Sequence, residues 1–269
     1  MKNYCGIDIG CTNIKMVAMI NNIPHHKIIS SGDSFTREEL IDCIYEFYSS
    51  FDANFSGLGI AFSGYTFDSI TVSKTSLQCL ENLSTMDFEK LHCNNIHLIN
   101  DSNATALAGL TEYPTAKVLV GITNGTGIGC GVVINGHLFT GSNHILGEIY
   151  GNTVIENNNI TKIGRICSGS KILKKLSEKP NDPIFAKEIL QEASINLGNL
   201  LISIIHLYNP DVLYFSGGGF SLENLLEDSI TYAKQLVYPD FLVNLTFVNS
   251  SYHDFAGCFG AIKYVQMNE

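Results

Sequence analysis

Apolar and polar positions first alternate with a strand period. Residues 4–20 read as a strand (YCGIDIG), a polar glycine turn (CTN) and a second strand (IKMVAMI), closed by a turn at Asn21-Asn22. The period then lengthens. Over residues 37–50 (REELIDCIYEFYSS) the apolar positions follow helical spacing, with Thr36 placed to cap the helix and acids in its first turn. Short apolar runs at 58–62 and 96–99 predict buried strands; the second ends at Asn100-Asp101 and opens into a small-residue helix, SNATALAGL. A new strand block starts at 117–123 (KVLVGIT), passes through NGTGIGCG into VVI, and turns at Asn135-Gly136 into HLF. Asn-Gly between apolar runs is a strong hairpin signal. Residues 167–176 and 183–208 predict helices, the second long and amphipathic. A buried strand at 212–215 opens into Ser216-Gly217-Gly218-Gly219. A helix, a strand near 243–248 and a last helix at about 254–265 complete the chain.

One pattern occurs twice. Gly6-Ile7-Asp8-Ile9-Gly10 leads through a polar turn into IKMVAMIN, and Gly121-Ile122-Thr123-Asn124-Gly125 leads through a Gly/Thr turn into CGVVING. The repeat predicts two lobes of similar topology, with a boundary near 112–116, where Pro114 sits.

Composition narrows the class. The chain has 269 residues, 45% hydrophobic and 16% charged, which fits a globular protein with a sizeable core. A net charge of −10 without any Lys/Arg run argues against a nucleic-acid partner. No apolar run reaches membrane-spanning length, and Met1 leads almost directly into a strand, so neither a membrane partner nor a signal peptide is expected. Eight cysteines are scattered with no C-x-x-C spacing, as in reduced thiols of a cytoplasmic protein.

Four segments carry candidate chemistry. Asp8 to Thr12 puts a carboxylate at a strand end and a glycine and a hydroxyl in the turn. That suits Mg²⁺ held through water by Asp8, with a phosphate over the turn, or else an ordinary hairpin with a solvated Asp. NGTGIGCG places Gly125, Gly127, Gly129 and Gly131 at alternate positions. A dinucleotide loop needs a different spacing and a following helix, so a phosphate-facing turn or a tight structural turn remains. Asp101, between a strand and a helix, is placed to take a proton from an attacking hydroxyl or merely to cap the helix. Ser216 to Gly219 lets a flat ring approach the backbone, or is a plain strand-to-helix turn.

Together, in this order, these segments resemble the ROK family of sugar kinases and regulators, over nearly the whole chain. The resemblance implies an α/β, two-lobed actin-like ATPase (ribonuclease H-like) fold with an inter-lobe cleft. Residues 1–113 would form one lobe, joined by a C-terminal helix at 254–269, and residues 114–253 the other. It implies transfer of the ATP γ-phosphoryl group to a hexose or N-acetylhexosamine hydroxyl, expected at O6, with Asp101 as general base. Asn100, Asp101 and Glu148 of Gly147-Glu148-Ile149 would hold the sugar, with Gly64 and His144 as further candidates and Asn82 a weak one. Asp8, Gly10, Cys11, Thr12 and Asn13 would face the nucleotide, as would Gly125, Thr126, Gly127, Gly217, Gly218 and Gly219, with Asp8 organising Mg²⁺. Asn103 and Ala104 also match the catalytic stretch. Lys15 is read as facing solvent. A homodimer is expected by analogy.

The chain departs from the family pattern where a His usually follows the Gly-Glu-Ile element; position 151 is Gly. The stretch NTVIENNNITKIGRICSGSKI holds only Cys167 where the family has a zinc-binding Cys cluster, so no zinc is expected. Gly164 falls where a sugar-contacting Glu is usual. Two rival readings follow: a sugar-binding sensor without turnover, and an ATPase that uses nucleotide as a conformational switch. The family's repressors carry an N-terminal helix-turn-helix, for which the strand beginning at Tyr4 leaves no room.

Overall fold

The computed structural model describes residues 1–32, 35–156 and 159–269. The strands are β1 (Asn3–Ile9), β2 (Asn13–Ile20), β3 (Ile23–Ser30), β4 (Phe55–Phe62), β5 (Gly64–Tyr65), β6 (Lys74–Thr75), β7 (Ile96–Asn100), β8 (Val118–Asn124), β9 (Ile128–Ile134), β10 (His137–Leu138), β11 (Thr153–Glu156), β12 (Asn159–Lys162), β13 (Val212–Ser216) and β14 (Thr246–Asn249). The helices are α1 (Arg37–Ser49), α2 (Asp101–Glu112), α3 (Gly164–Cys167), α4 (Gly169–Leu176), α5 (Pro183–Tyr208), α6 (Leu225–Leu236) and α7 (Ala256–Met267).

The two five-stranded sheets share one topology. The first runs β3-β2-β1-β4-β7 and the second β10-β9-β8-β13-β14. In each, the first three strands form an antiparallel meander and the last two add in parallel. The sequence repeat is thus the opening hairpin of two equivalent sheets, and this is the two-lobed actin-like arrangement expected from the sequence. Both turns and the start of α2 lie at the ends of the parallel strands, where open α/β sheets gather their ligands.

Between the sheets run α2 and α7, and they are exchanged. α2 follows the last strand of the first sheet but packs on β8 and β9; α7 follows the last strand of the second sheet but packs on β1 and β4. The two helices also cross each other, which requires small residues. A Cβ on Gly260 would collide with the carbonyl of Ala104, and one on Gly121 would come 2.6 Å from the Ala106 backbone. Alanines 61, 104, 106, 108, 256 and 261 fill this central layer. Outside it, a core with Ile7, Leu40, Ile44 and Phe62 backs the first sheet, and one with Ile122, Leu197, Leu201 and Phe215 backs the second.

The expected elements are present, with corrections. Thr36 caps α1 in a reciprocal capping box with Glu39. The helix expected over 167–176 is broken at Ser168, whose extended backbone (φ −74°, ψ 143°) separates α3 from α4. Ser216 to Gly219 leads into a single 3-10 turn (Gly218–Ser221), and α6 starts only at Leu225. β14 and α7 begin two to three residues later than the hydrophobic pattern implied. β3, the short β5–β6 pair and the β11–β12 hairpin were not foreseen. β3 is almost wholly exposed, and Ile155 and Ile160 of the hairpin are 79% and 80% exposed, so no buried face marked them in the sequence.

Candidate functional site

The site is built around the first turn of α2. Asn100, the last residue of β7, is its N-cap: the side-chain oxygen accepts from the Ser102 and Asn103 amides at 2.9 and 3.0 Å. This frees Asp101 from the capping role, although one of its oxygens also accepts from the Ser102 amide at 2.7 Å. The Asn100 amide nitrogen donates to the Gly64 carbonyl at 2.8 Å, tying the β5–β6 hairpin to the same point. Gly64 has φ +145°, a conformation glycine tolerates.

Asp101 is half-buried and lies within reach of other acids. Burial, then the negative charges of Asp8 and Glu148, push its carboxyl up to about 7, against the Ser102 hydrogen bonds that lower it. Asp8, one residue from the end of β1, is likewise raised by burial, and Lys15 lowers it. Lys15 is its cross-strand partner. The expectation that Lys15 faces solvent is corrected: its side chain is 22% exposed, and its ammonium lies 4.0 Å from Asp254. Gly257 at the start of α7 abuts the Asp8 carboxylate; an added Cβ there would be 2.5 Å from Oδ2. Asp101 therefore feels the charge of Asp8 and of Glu148, which come from two other segments.

The first turn, residues 10–13, is closed by the Gly10 amide donating to the Asn13 carbonyl at 3.0 Å. Ser31 braces it, its hydroxyl donating to the Gly10 carbonyl at 3.1 Å. Thr12 is exposed, while Cys11 and Asn13 are half-buried.

The four glycines of the second turn divide into two kinds. A Cβ on Gly129 would strike the Ser102 hydroxyl, and one on Gly131 would lie 2.5 Å from the Ser102 carbonyl; both are bare because β9 presses on α2. Gly125 has nothing within 4 Å, and Gly127 only a Tyr150 ring carbon at 3.8 Å. The turn's carbonyls point away: Gly125 O accepts from the Ser170 amide at 3.0 Å and Thr126 O from the Ser170 hydroxyl at 2.7 Å. Among the described residues the Thr126 and Gly127 amides donate to no protein acceptor. Exposed amides at a glycine turn are what a phosphate needs. A hydroxyl contact of 2.8 Å between Ser102 and Thr123 fixes this turn to the start of α2, beside Asp101.

Asn124, fully buried, holds the far side of the turn. It donates to the Cys167 carbonyl at 3.0 Å and accepts from the Gly169 amide at 2.8 Å, bridging the α3–α4 break. Gly217 (φ +111°) and Gly219 pack on Asn124, where a side chain would collide; Gly218 is open. A cavity of about 360 Å³ beside Gly217 is lined also by Ser216, Asn249 and Asp254. Another, about 800 Å³, lies between β2–β3 and α7 and includes none of the sequence-predicted site residues. Two buried polar atoms among the described residues lack partners, Asn103 Oδ1 and Ser168 Oγ.

Glu148 follows Gly147, whose carbonyl accepts from the Cys130 amide of β9 at 3.0 Å. Partial burial raises its carboxyl and Lys74 lowers it. Lys74 and Tyr150 went unnoticed in the sequence, since a lone Lys in a polar loop and a Tyr after Ile carry no pattern. His144, φ +57°, is exposed and pairs with Thr140 at 3.0 Å within its own loop. Asn82 is exposed, its carbonyl held by Arg37 at 3.2 Å. The stretch that usually binds zinc forms the β11–β12 hairpin; Asn157 and Asn158 lie outside the described residues. Among the described residues no three His, Cys, Asp or Glu side chains gather as a metal site, and no helix is long and apolar enough to cross a membrane.

Comparison with known proteins agrees with this architecture. The model of the ROK family matches residues 4–268. The chain is 27% identical over 156 residues to an N-acetyl-D-glucosamine kinase of Vibrio parahaemolyticus, covering 54% of this chain and 51% of that protein. It is 29% identical over 140 residues to the xylose repressor of Staphylococcus xylosus, covering 44% and 36%. The chain thus spans about half the length, or less, of these curated relatives. Its fold is similar to a ROK family glucokinase from Streptomyces griseus in complex with glucose and AMPPNP, with TM-score 0.82, 18% identity and 98% and 99% of the two chains covered.

Proposed function

Because the chain belongs to the ROK family, we propose that it is an ATP-dependent sugar kinase acting on a hexose or N-acetylhexosamine, with O6 as the acceptor. Asp101 is the general base. It takes the proton of the acceptor hydroxyl as that oxygen bonds to the γ-phosphorus and the bond to the departing ADP breaks. The observation that carries this reading is the placing of Asp101: its carboxyl is held near neutrality, within the field of Asp8 on β1 and of Glu148 in the segment after β10. A base titrating near the working pH is half ready to accept a proton and still basic enough to do so.

Residues 1–113 with 254–269 form one lobe in this reading and 114–253 the other. Thr126 and Gly127 offer free amides to phosphate oxygens, with Gly125 leaving the approach open. Gly10, Cys11, Thr12 and Asn13 face the nucleotide from the opposite turn, and Gly217 to Gly219 face the adenosine. Asn100, Glu148 and Gly64 hold the sugar; His144, engaged with Thr140, contributes at most from the rim. Asp8 fits a magnesium ion: it is a hard oxygen donor whose burial raises its carboxyl despite Lys15. When bound with the nucleotide, magnesium neutralises charge developing on the phosphates. Asp8 would hold it through water. Closure of the lobes would exclude water as a competing acceptor.

The test is ADP release with Mg-ATP across hexoses, N-acetylhexosamines and glycosides. Asp101→Asn is expected to keep ATP affinity and lower sugar phosphorylation by roughly 10²–10⁴-fold, the worth of a general base. Turnover equal to the parent would remove Asp101 from the mechanism. Sugar binding without turnover is the second reading, favoured by the missing side chain at Gly151 and by the likeness to a repressor. Sugar-dependent stabilisation with no ADP release would decide for it.

A further inference from the structure

Tyr150 sits where three glycines meet different surroundings. It lies in the 3-10 turn Ile149–Gly151, two residues after Glu148. A Cβ on Gly164, the first residue of α3, would run into the Cγ, Cδ2 and Cε2 atoms of its ring. The ring is therefore seated over a position that only glycine leaves free. The same ring carbon, Cδ2, lies 3.8 Å from a Cβ built on Gly127, in the phosphate-facing turn. Gly151, next in the chain, has nothing within 4 Å. The ring is half-buried against the second core, so its place is fixed by packing. Among the described residues its hydroxyl makes no protein hydrogen bond and is not one of the buried unpartnered atoms, so it is open to solvent or to a ligand.

An aromatic ring anchored between the phosphate turn and α3, beside Glu148, with a free hydroxyl and open space next to it, is equipped to receive a polar ligand with a carbon face. We propose that Tyr150 contacts the acceptor sugar: its ring is a wall for the sugar's carbon face and its hydroxyl a hydrogen-bonding group for it. Gly164 serves this indirectly, by leaving the ring its seat. The inference rests on the sugar-kinase reading and adds to it the residue that sets acceptor selectivity.

The experiment compares Tyr150→Phe, Tyr150→Ala, Gly164→Ala and the Tyr150→Ala/Gly164→Ala double variant with the parent chain. KM and kcat are measured for ATP and for each acceptor of the same panel, and thermal shift records sugar binding. Tyr150→Ala is expected to raise the acceptor KM roughly tenfold, the effect of about one good contact, and to change the ratio of kcat/KM between plain and N-acetylated hexoses. The ATP KM stays within about twofold of the parent, too small a change for a lost contact. Tyr150→Phe keeps the packing and loses only the hydroxyl, so its acceptor KM rises by less. Gly164→Ala displaces the ring and reproduces the Tyr150→Ala pattern. The double variant is then no worse than Tyr150→Ala, because both changes remove one interaction.

An acceptor KM and selectivity unchanged in Tyr150→Ala, while Asp101→Asn abolishes transfer, overturns this inference and leaves the kinase reading standing. A rise confined to the ATP KM also overturns it, by assigning the ring to the nucleotide. A parent chain that neither binds nor phosphorylates any sugar of the panel overturns both.

Discussion

A carboxylate held near neutrality behaves differently from an ordinary one in two measurable ways, and Asp101 should display both. As a base it must be ionised, so kcat/KM for the acceptor should fall about tenfold per pH unit below about 7, and level off above it. The residual activity of Asp101→Asn should lack that inflection. The second effect concerns folding. The folded-state pKa lies above the unfolded value of a free aspartate, so the folded protein binds the proton more tightly. The resulting stabilisation is complete below pH 4 or so and lost as pH rises through about 7. Asp101→Asn should therefore raise the melting temperature more at pH 8 than at pH 4. An equal shift at both would mean that the carboxylate is not strained by its surroundings. Asp8 is raised by burial in the same direction, with Lys15 in opposition. Replacing Lys15 by Met removes that opposition and should raise the Asp8 carboxyl further, which an NMR titration of its side chain would record.

At the scale of elements, glycines separate packing from binding. A Cβ on Gly131 would strike the backbone of α2, and one on Gly125 would meet nothing within 4 Å. Gly131→Ala should cost about 1–3 kcal/mol, as overpacked cores do, seen as a lower denaturant midpoint. Gly125→Ala should stay within about 0.5 kcal/mol of the parent in stability, as open surface sites do, and act instead on the ATP KM. This split could not be read from NGTGIGCG, where all four glycines are equivalent letters. It depends on which strand face meets Ser102, and therefore on a helix contributed by the other half of the chain. What was legible follows the same logic. The paired hairpins, α1 with its Thr36–Glu39 box, and α5 with Pro183 in its first turn all carry local signals. So did Asp8, Asn100 and Asp101, placed by strand ends. The β11–β12 hairpin buries no stripe and left no periodicity. The α3–α4 break at Ser168 arises from Asn124, more than forty residues earlier in the sequence, bonding across it. Lys74 and Tyr150 reach the site only through tertiary contacts, and nothing in their sequence neighbourhood distinguishes them.

For the whole molecule, two sheets of one topology joined by crossed helices form a natural hinge. If sugar and nucleotide bridge the proposed lobes, adding both should reduce the radius of gyration in solution scattering by more than either ligand alone; no change with both present would argue against closure. The exchange of α2 and α7 has a further consequence, for how the chain is made. The helix that covers β1 and β4 is synthesised after the whole of the second sheet, so these strands wait with an apolar face open until residues 256–267 leave the ribosome. Ribosome-bound chains stopped before Ala256 should accordingly be protease-sensitive in their first hundred residues and recruit holding chaperones. Emergence of residues 256–267 should convert both halves to a resistant state in one step.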